Sequence, residues 1–211
     1  DDFSDGIATS MVHMSNNISA VNACYALVAL NVFQEEFAGT PLAPMALEAI
    51  SAQAHFMINH MADDHHRYAS VMPVMSMNDG KRGPHTVEAQ AAAIRALYSA
   101  YSATGDETFM DAADDAYQTL IADYYAEDDQ AFATELNSTT ANYTPRNVAL
   151  ISGALREARL VGGFSEATDI YVAFWDQVVN KMQLAEDMAT GETGNDSDFD
   201  SIPFIMDQSE G

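Results

Sequence analysis

The chain has 211 residues, 48% of them hydrophobic, which is enough to bury a core and too apolar for a disordered chain. Thirty-two acids against eight bases give a formal charge of −24, a surface that repels nucleic acid and anionic lipid because phosphate binding needs cationic contacts. The apolar run from Val21 to Phe33 is interrupted by Asn22 and Asn31 and is too short to span a bilayer, and the lone Cys24 excludes an internal disulfide or a cysteine-based metal site.

In chain order, Ile18, Val21, Tyr25, Val28 and Val32 recur at three- and four-residue steps and predict a first helix with that stripe turned inward. Gly39 and Pro41 turn the chain, and Leu47, Ile50, Ala54, Met57 and Met61 mark a second helix. The stretch "HFMINHMADDHHRY" then gathers His55, His60, His65 and His66 with methionines and aspartates, a donor set suited to copper or zinc. His55 and His60, five residues apart, point in different directions on a helix, and His65 and His66 already suit a helix C-terminus. Val87, Ala91, Ile94, Leu97, Tyr98 and Tyr101 form the next stripe; Gly105 ends that helix, and Asp106 or Thr108 caps its successor, which carries Phe109, Ala113, Ala116, Tyr117, Leu120 and Tyr124. Thr144 caps a fifth helix with Pro145 at its first position and Val148, Ile151, Leu155 and Ala158 inward. Gly162 and Gly163 turn it into a sixth, with Ala167, Ile170, Tyr171, Phe174, Val178 and Met182. The expected architecture is all-α: three consecutive antiparallel hairpins at about 16–62, 84–125 and 144–184, forming a repeat domain over 1–184 with no sheet beyond a short loop ladder, then an acidic tail over 185–211.

Turns within the hairpins are short and connections between them are long, which places every long segment at one end of the bundle, where functional groups concentrate. Four of the eight bases, Arg67, Lys81, Arg82 and Arg146, fall there. The candidate ligand-binding residues are Arg67, Tyr68, Arg82, His85, Glu88, Tyr143, Arg146 and Asn147: cations and amides for an anionic or hydroxyl-rich ligand such as a glycan, with rings to stack on it. The competing reading is that these bases neutralise nearby acids and hold the loops together. In the tail, Asp196, Asp198 and Asp200 alternate so that their carboxylates could converge on calcium. Against that, Ser201 stands where an EF-hand needs glycine and Pro203 interrupts the loop, so a solvated acidic tail competes with the calcium site; no other cofactor is expected. Asn17, Asn137, Asn142 and Asn195 each begin an Asn-x-Ser/Thr triplet, which in a glycosylating source predicts an exported glycoprotein, extracellular or periplasmic. Lysine accounts for only two of the bases, as in proteins adapted to high salt. No Gly-rich phosphate loop, His-Glu-x-x-His or Gly-x-Ser-x-Gly motif occurs.

The segments "ATGDETFMDAADDAYQTLIADYY" and "REARLVGGFSEATDIYVAFW" resemble the hairpin unit of α/α-toroid proteins, among them six-hairpin glycosidases, sugar epimerases and polysaccharide lyases. The resemblance covers most of residues 16 to 184 and implies an open, toroid-like arc, three hairpins being half of a six-hairpin ring. The catalytic acids of that family have no matching motif here, and Asn16-Asn17 is followed by Ile18 where some lyase-type toroids carry a histidine. Two functions follow. The first is an exported acidic helical-repeat module for binding or assembly, on glycans or on copies of itself. The second is a carbohydrate-active enzyme (glycoside hydrolase, lyase or epimerase), or a fragment of one, with acid/base groups among His85, Glu88, Tyr143 and Arg146. Apolar residues outside the stripes, Val12, Ala20, Leu27, Leu30 and Phe33 in the first hairpin and Phe164, Trp175 and Val179 in the third, predict self-association or a longer chain.

Overall fold

The computed structural model describes residues 17–73, 83–138 and 143–190. Arg82, Asn142, Asn195, Asp196, Asp198 and Asp200 therefore lie outside the described residues.

Among the described residues six helices form three hairpins: α1 (Ala20–Glu36) with α2 (Leu42–Phe56), α3 (Val87–Thr104) with α4 (Glu107–Tyr124), and α5 (Pro145–Leu160) with α6 (Ala167–Thr190). A π-helical turn, Met57–Met61, extends α2. The start signals are chemical. Ser19, Thr86, Asp106 and Thr144 each accept a bond from a first-turn backbone N–H that has no helical partner. The reversals are conformational: Gly39, Gly105 and Gly163 have φ of 82°, 71° and 78°, the left-handed region where a side chain would be strained.

The first helices of the hairpins, α1, α3 and α5, pack on one another as an inner layer, and the second helices lie outside them. The N-terminal ends of α1 and α3 are tied together by the long connections. The Ala20 N–H donates to the Ser70 carbonyl (3.1 Å), the Ser70 N–H to that of Pro84 (2.8 Å), and the Val87 N–H to that of Thr134 (3.1 Å). Two short antiparallel ladders complete the frame, β1 (Asn17–Ser19) on β2 (Val71–Pro73) and β3 (Tyr125–Ala126) on β4 (Ala131–Phe132).

The middle helix, α3, is buried on most of its circumference, from Val87 through Ala91, Ala92, Ala93 and Ile94 to Leu97 and Tyr98. Its alanines let neighbouring backbones approach from several sides at interior packing density. The hydroxyl of Tyr98 reaches the Asp114 carboxylate (2.7 Å) on α4 and occupies the space that a side chain at Gly162 would fill. In α1 the expected stripe is corrected: Ala20, Ala23, Cys24 and Leu27 are buried, whereas Tyr25 is 48% and Val32 56% exposed. From Ala20 to Gln34 that helix holds no charged residue, so hydropathy marks no face as inner, and its smallest side chains pack against α3.

Candidate functional site

The loop end of the bundle is held by one buried side chain. Gln90 of α3 has no solvent exposure, and its Nε2 donates to the carbonyls of His66 (2.9 Å) and Ala116 (2.8 Å) while its Oε1 accepts the Tyr68 N–H (2.9 Å). The first long connection is thereby latched to α3 and α4. Asp63 shapes the same loop, its Oδ1 accepting the backbone N–H groups of His65 (2.8 Å) and Arg67 (3.0 Å). Burial raises the Asp63 carboxyl, but these bonds and the charges of His85 and Arg67 outweigh it and hold it below the ordinary carboxylate value.

Within this frame most of the expected ligand-binding residues have structural partners. Arg67 Nε lies 2.6 Å from Asp123 Oδ2 on α4. His85 Nε2 lies 3.6 Å from Asp63 Oδ2. Asn147 closes the α5 cap, its N–H donating to Thr144 Oγ1 (3.2 Å) and its side chain meeting the same hydroxyl. The two rings expected to stack on a ligand are core residues instead: Tyr68 is 1% and Tyr143 3% exposed, and the Tyr143 hydroxyl bonds both the N–H and the carbonyl of Phe132. A ring on a loop that must cover an apolar helix end buries more surface inward than outward. Glu88 and Arg146 meet across the first turns of α3 and α5, Arg146 Nε lying 2.5 Å from Glu88 Oε1. It is a close ion pair without hydrogen-bond alignment. Asn17 falls in β1, and Asn137 is exposed in a turn with φ of 60°. The His55 ring packs on Phe109 and the His60 ring on Phe56, on different sides of the helix end, which brings no metal-ligand group together there.

Two clefts remain. One, of about 350 Å³, runs along the outer helix α4 beneath His65 and His66; there His66 Nδ1 lies 3.6 Å from Asp115 Oδ2, Arg67 pairs with Asp123, and Thr119 donates to the His65 carbonyl (3.1 Å). The other, of about 180 Å³, opens across the inner layer between Val28, Asn31 and Val32 of α1, Arg95, Ser99 and Ser102 of α3, and Glu157 of α5. Glu88, Arg95, Ser99 and Ser102 lie at helical steps on the one side of α3 that its neighbours do not cover. Gly153 of α5 makes the room: a Cβ there would lie 2.5 Å from Arg95 Nε. The same guanidinium lies near the Cys24 thiol, which burial pushes up to about 11 against the opposing effect of that charge, so the thiol stays protonated and inert. This inner cleft is near the short-turn end, away from the loops to which the sequence pointed. Its one legible signal was Arg95, the only charge between Glu88 and Asp106.

Three hairpins whose first helices line an inner layer define the α/α-toroid fold as an open arc. Solved structures share it at low identity. The cellobiose 2-epimerase of Bacillus thermoamylovorans matches with a TM-score of 0.65 and 15% identity, covering 78% of this chain and 45% of its own. A sugar epimerase from a ruminal bacterium matches with a TM-score of 0.59 and 17% identity over 88% and 49%. The cellobiose 2-epimerase of Spirochaeta thermophila matches with a TM-score of 0.58 and 14% identity over 90% and 50%. The chain thus spans about half the length of these structures, and at such identities the likeness is one of fold. No family model and no curated protein sequence matches it.

Proposed function

We propose that the chain is half of a carbohydrate-active toroid, and that its inner face is the surface that meets sugar. The observation that carries this reading is the uncovered side of the inner layer. It displays Glu88, Arg95, Arg146 and Glu157 in a fold whose solved examples include sugar epimerases. Proton transfer at a sugar carbon or glycosidic oxygen needs an ionisable group within hydrogen-bond reach of the reacting atom. Glu88, held by Arg146, supplies one such carboxylate on the uncovered side of the inner layer. The full chain is mixed with mono- and disaccharides in deuterated buffer and followed by proton NMR. Saturable ligand shifts that weaken in Glu88→Gln or Arg146→Ala are expected, with deuterium entering the sugar wherever the ring is complete. Absence of saturable binding to any of these sugars overturns the reading.

A second reading, an exported module that binds or assembles without catalysis, draws on the exposed apolar residues of α1 and α6 and on the exposed Asn137 triplet. Sugar binding with no exchange or turnover, in a protein carrying an oligosaccharide on Asn137, favours it.

A further inference from the structure

Arg95 is a half-buried cation without a partner. Acids outnumber bases thirty-two to eight, and Arg67, Arg146 and Arg156 each meet a carboxylate, yet no hydrogen bond or ion pair joins Arg95 to another described residue. Partial removal of a guanidinium from water costs free energy that its own pairing normally offsets. Here the surroundings are arranged to keep the group unpaired and in place. Gly153 leaves the volume that the side chain fills, since a Cβ would come within 2.5 Å of Nε and 2.8 Å of Cζ. Asn31 Nδ2 donates to Ser99 Oγ (3.3 Å), and Asn31 Oδ1 is occupied by Gln34 Nε2 (3.2 Å). Ser99 accepts that bond and keeps its hydroxyl proton to donate.

The cleft therefore offers donors, the fork of Arg95 and the Ser99 hydroxyl, beside an apolar wall of Val28 and Val32. The Glu157 carboxylate faces them, its charge countered by Arg156 at 2.6 Å, and Ser102, whose hydroxyl donates to the Tyr98 carbonyl (2.8 Å), adds acceptor lone pairs. A planar monoanion matches the fork bidentately, whereas a doubly charged anion meets more repulsion from Glu157. At about 180 Å³ the cleft is smaller than the pockets of roughly 300 Å³ and above that take drug-sized molecules, so its ligand is one small ring or less.

We propose that this cleft binds a small organic carboxylate through Arg95 and Ser99. Resting on the carbohydrate reading above, the form it takes is a sugar acid, with ring hydroxyls donating to Glu157. Titration calorimetry of the full chain with glucuronate, glucose and propionate, in about 0.15 M sodium chloride where repulsion beyond about 8 Å is screened, tests it. Glucuronate should bind saturably. Arg95→Gln should weaken it about ten- to a hundredfold, the loss of a charge-assisted hydrogen-bond pair. Arg95→Lys, which keeps the charge and loses the fork, should weaken it less, and Gly153→Ala should weaken it by displacing the guanidinium. Melting curves confirm that each variant is folded, and Arg95→Lys decides the matter if Arg95→Gln is not. Glucuronate binding unchanged in folded Arg95 variants overturns the proposal. Glucose binding as tightly as glucuronate also overturns it while leaving the carbohydrate reading intact. Propionate binding as tightly as glucuronate, dependent on Arg95, upholds the carboxylate site and removes the sugar reading. No binding of any of the three overturns both.

Discussion

Replacing Gln90 tests whether one side chain latches the loop end to the helices. Gln90→Leu preserves volume and removes three hydrogen bonds, two to the carbonyls of His66 and Ala116 and one from the Tyr68 N–H. Ala116 lies inside α4 and keeps its helical acceptor role, so its loss is small. The Tyr68 N–H becomes a buried donor with no acceptor, which costs about 1–3 kcal/mol, and the His66 carbonyl adds about 1 kcal/mol. Leucine's better burial returns part of this, giving a net loss of roughly 2–3 kcal/mol, or about 4–12 °C in Tm for a chain of this size. Guanidinium and thermal unfolding followed by circular dichroism at fixed salt measure it. Gln90→Glu adds a sign: the introduced carboxyl faces two carbonyl oxygens and is stable only when protonated, so its folded pKa is raised. Its stability is then fully present below the unfolded glutamate value and is lost as pH rises through the folded one. A Gln90→Leu protein within 0.5 kcal/mol of the parent would refute the latch.

Two further outcomes follow from the charges. With −24 on the chain, Tm should rise as sodium chloride is added from low millimolar to molar, because screening relieves repulsion; a flat or falling curve, read by scanning calorimetry, means the acids are already neutralised. Asp63→Asn should destabilise the loop at neutral pH, and the difference from the parent in a pH series of denaturant melts should shrink as pH falls through the depressed Asp63 pKa, since a lowered carboxylate contributes only while ionised; a difference that grows on acidification contradicts this.

Features set by one residue's own backbone chemistry were legible in the sequence. Gly39 and Gly105 announce reversals because few other residues tolerate their φ, and Thr144-Pro145 announces α5 because its hydroxyl and fixed ring suit a helix start. Features set by partners distant in sequence were not. Tyr68 and Tyr143 read as loop rings ready for a ligand until the Gln90 latch and the Phe132 backbone draw them inside. Arg95 reads as an ordinary helix charge until Gly153, 58 residues away, is placed against it. The inner face of α1 stayed hidden because its stretch from Ala20 to Gln34 carries no charge that would mark a polar side against an apolar one.

That uncharged stretch of α1 leads to the last prediction. In a chain with thirty-two acids, α1 runs from Ala20 to Gln34 without one and still exposes Tyr25, Val32 and Phe33, while α2 adds Leu42 and Met45. At the other end of the arc, Tyr171, Val172 and Val179 are exposed on α6. Two apolar flanks on the terminal hairpins of a half-ring suit a second copy related by a two-fold axis, its third hairpin against this first one and the reverse, closing a ring of six hairpins. Such an interface hides apolar surface between two like-charged bodies, so its salt dependence is opposite to that of an ionic contact: the dimer should tighten as salt rises. Sedimentation or light scattering across micromolar concentrations, at low and high sodium chloride, reads the association. Met45→Glu and Val179→Glu should each abolish it while leaving circular dichroism unchanged. A monomer at high salt would overturn the prediction, and an association that weakens as salt is added would show that ion pairs rather than α1 hold the copies together.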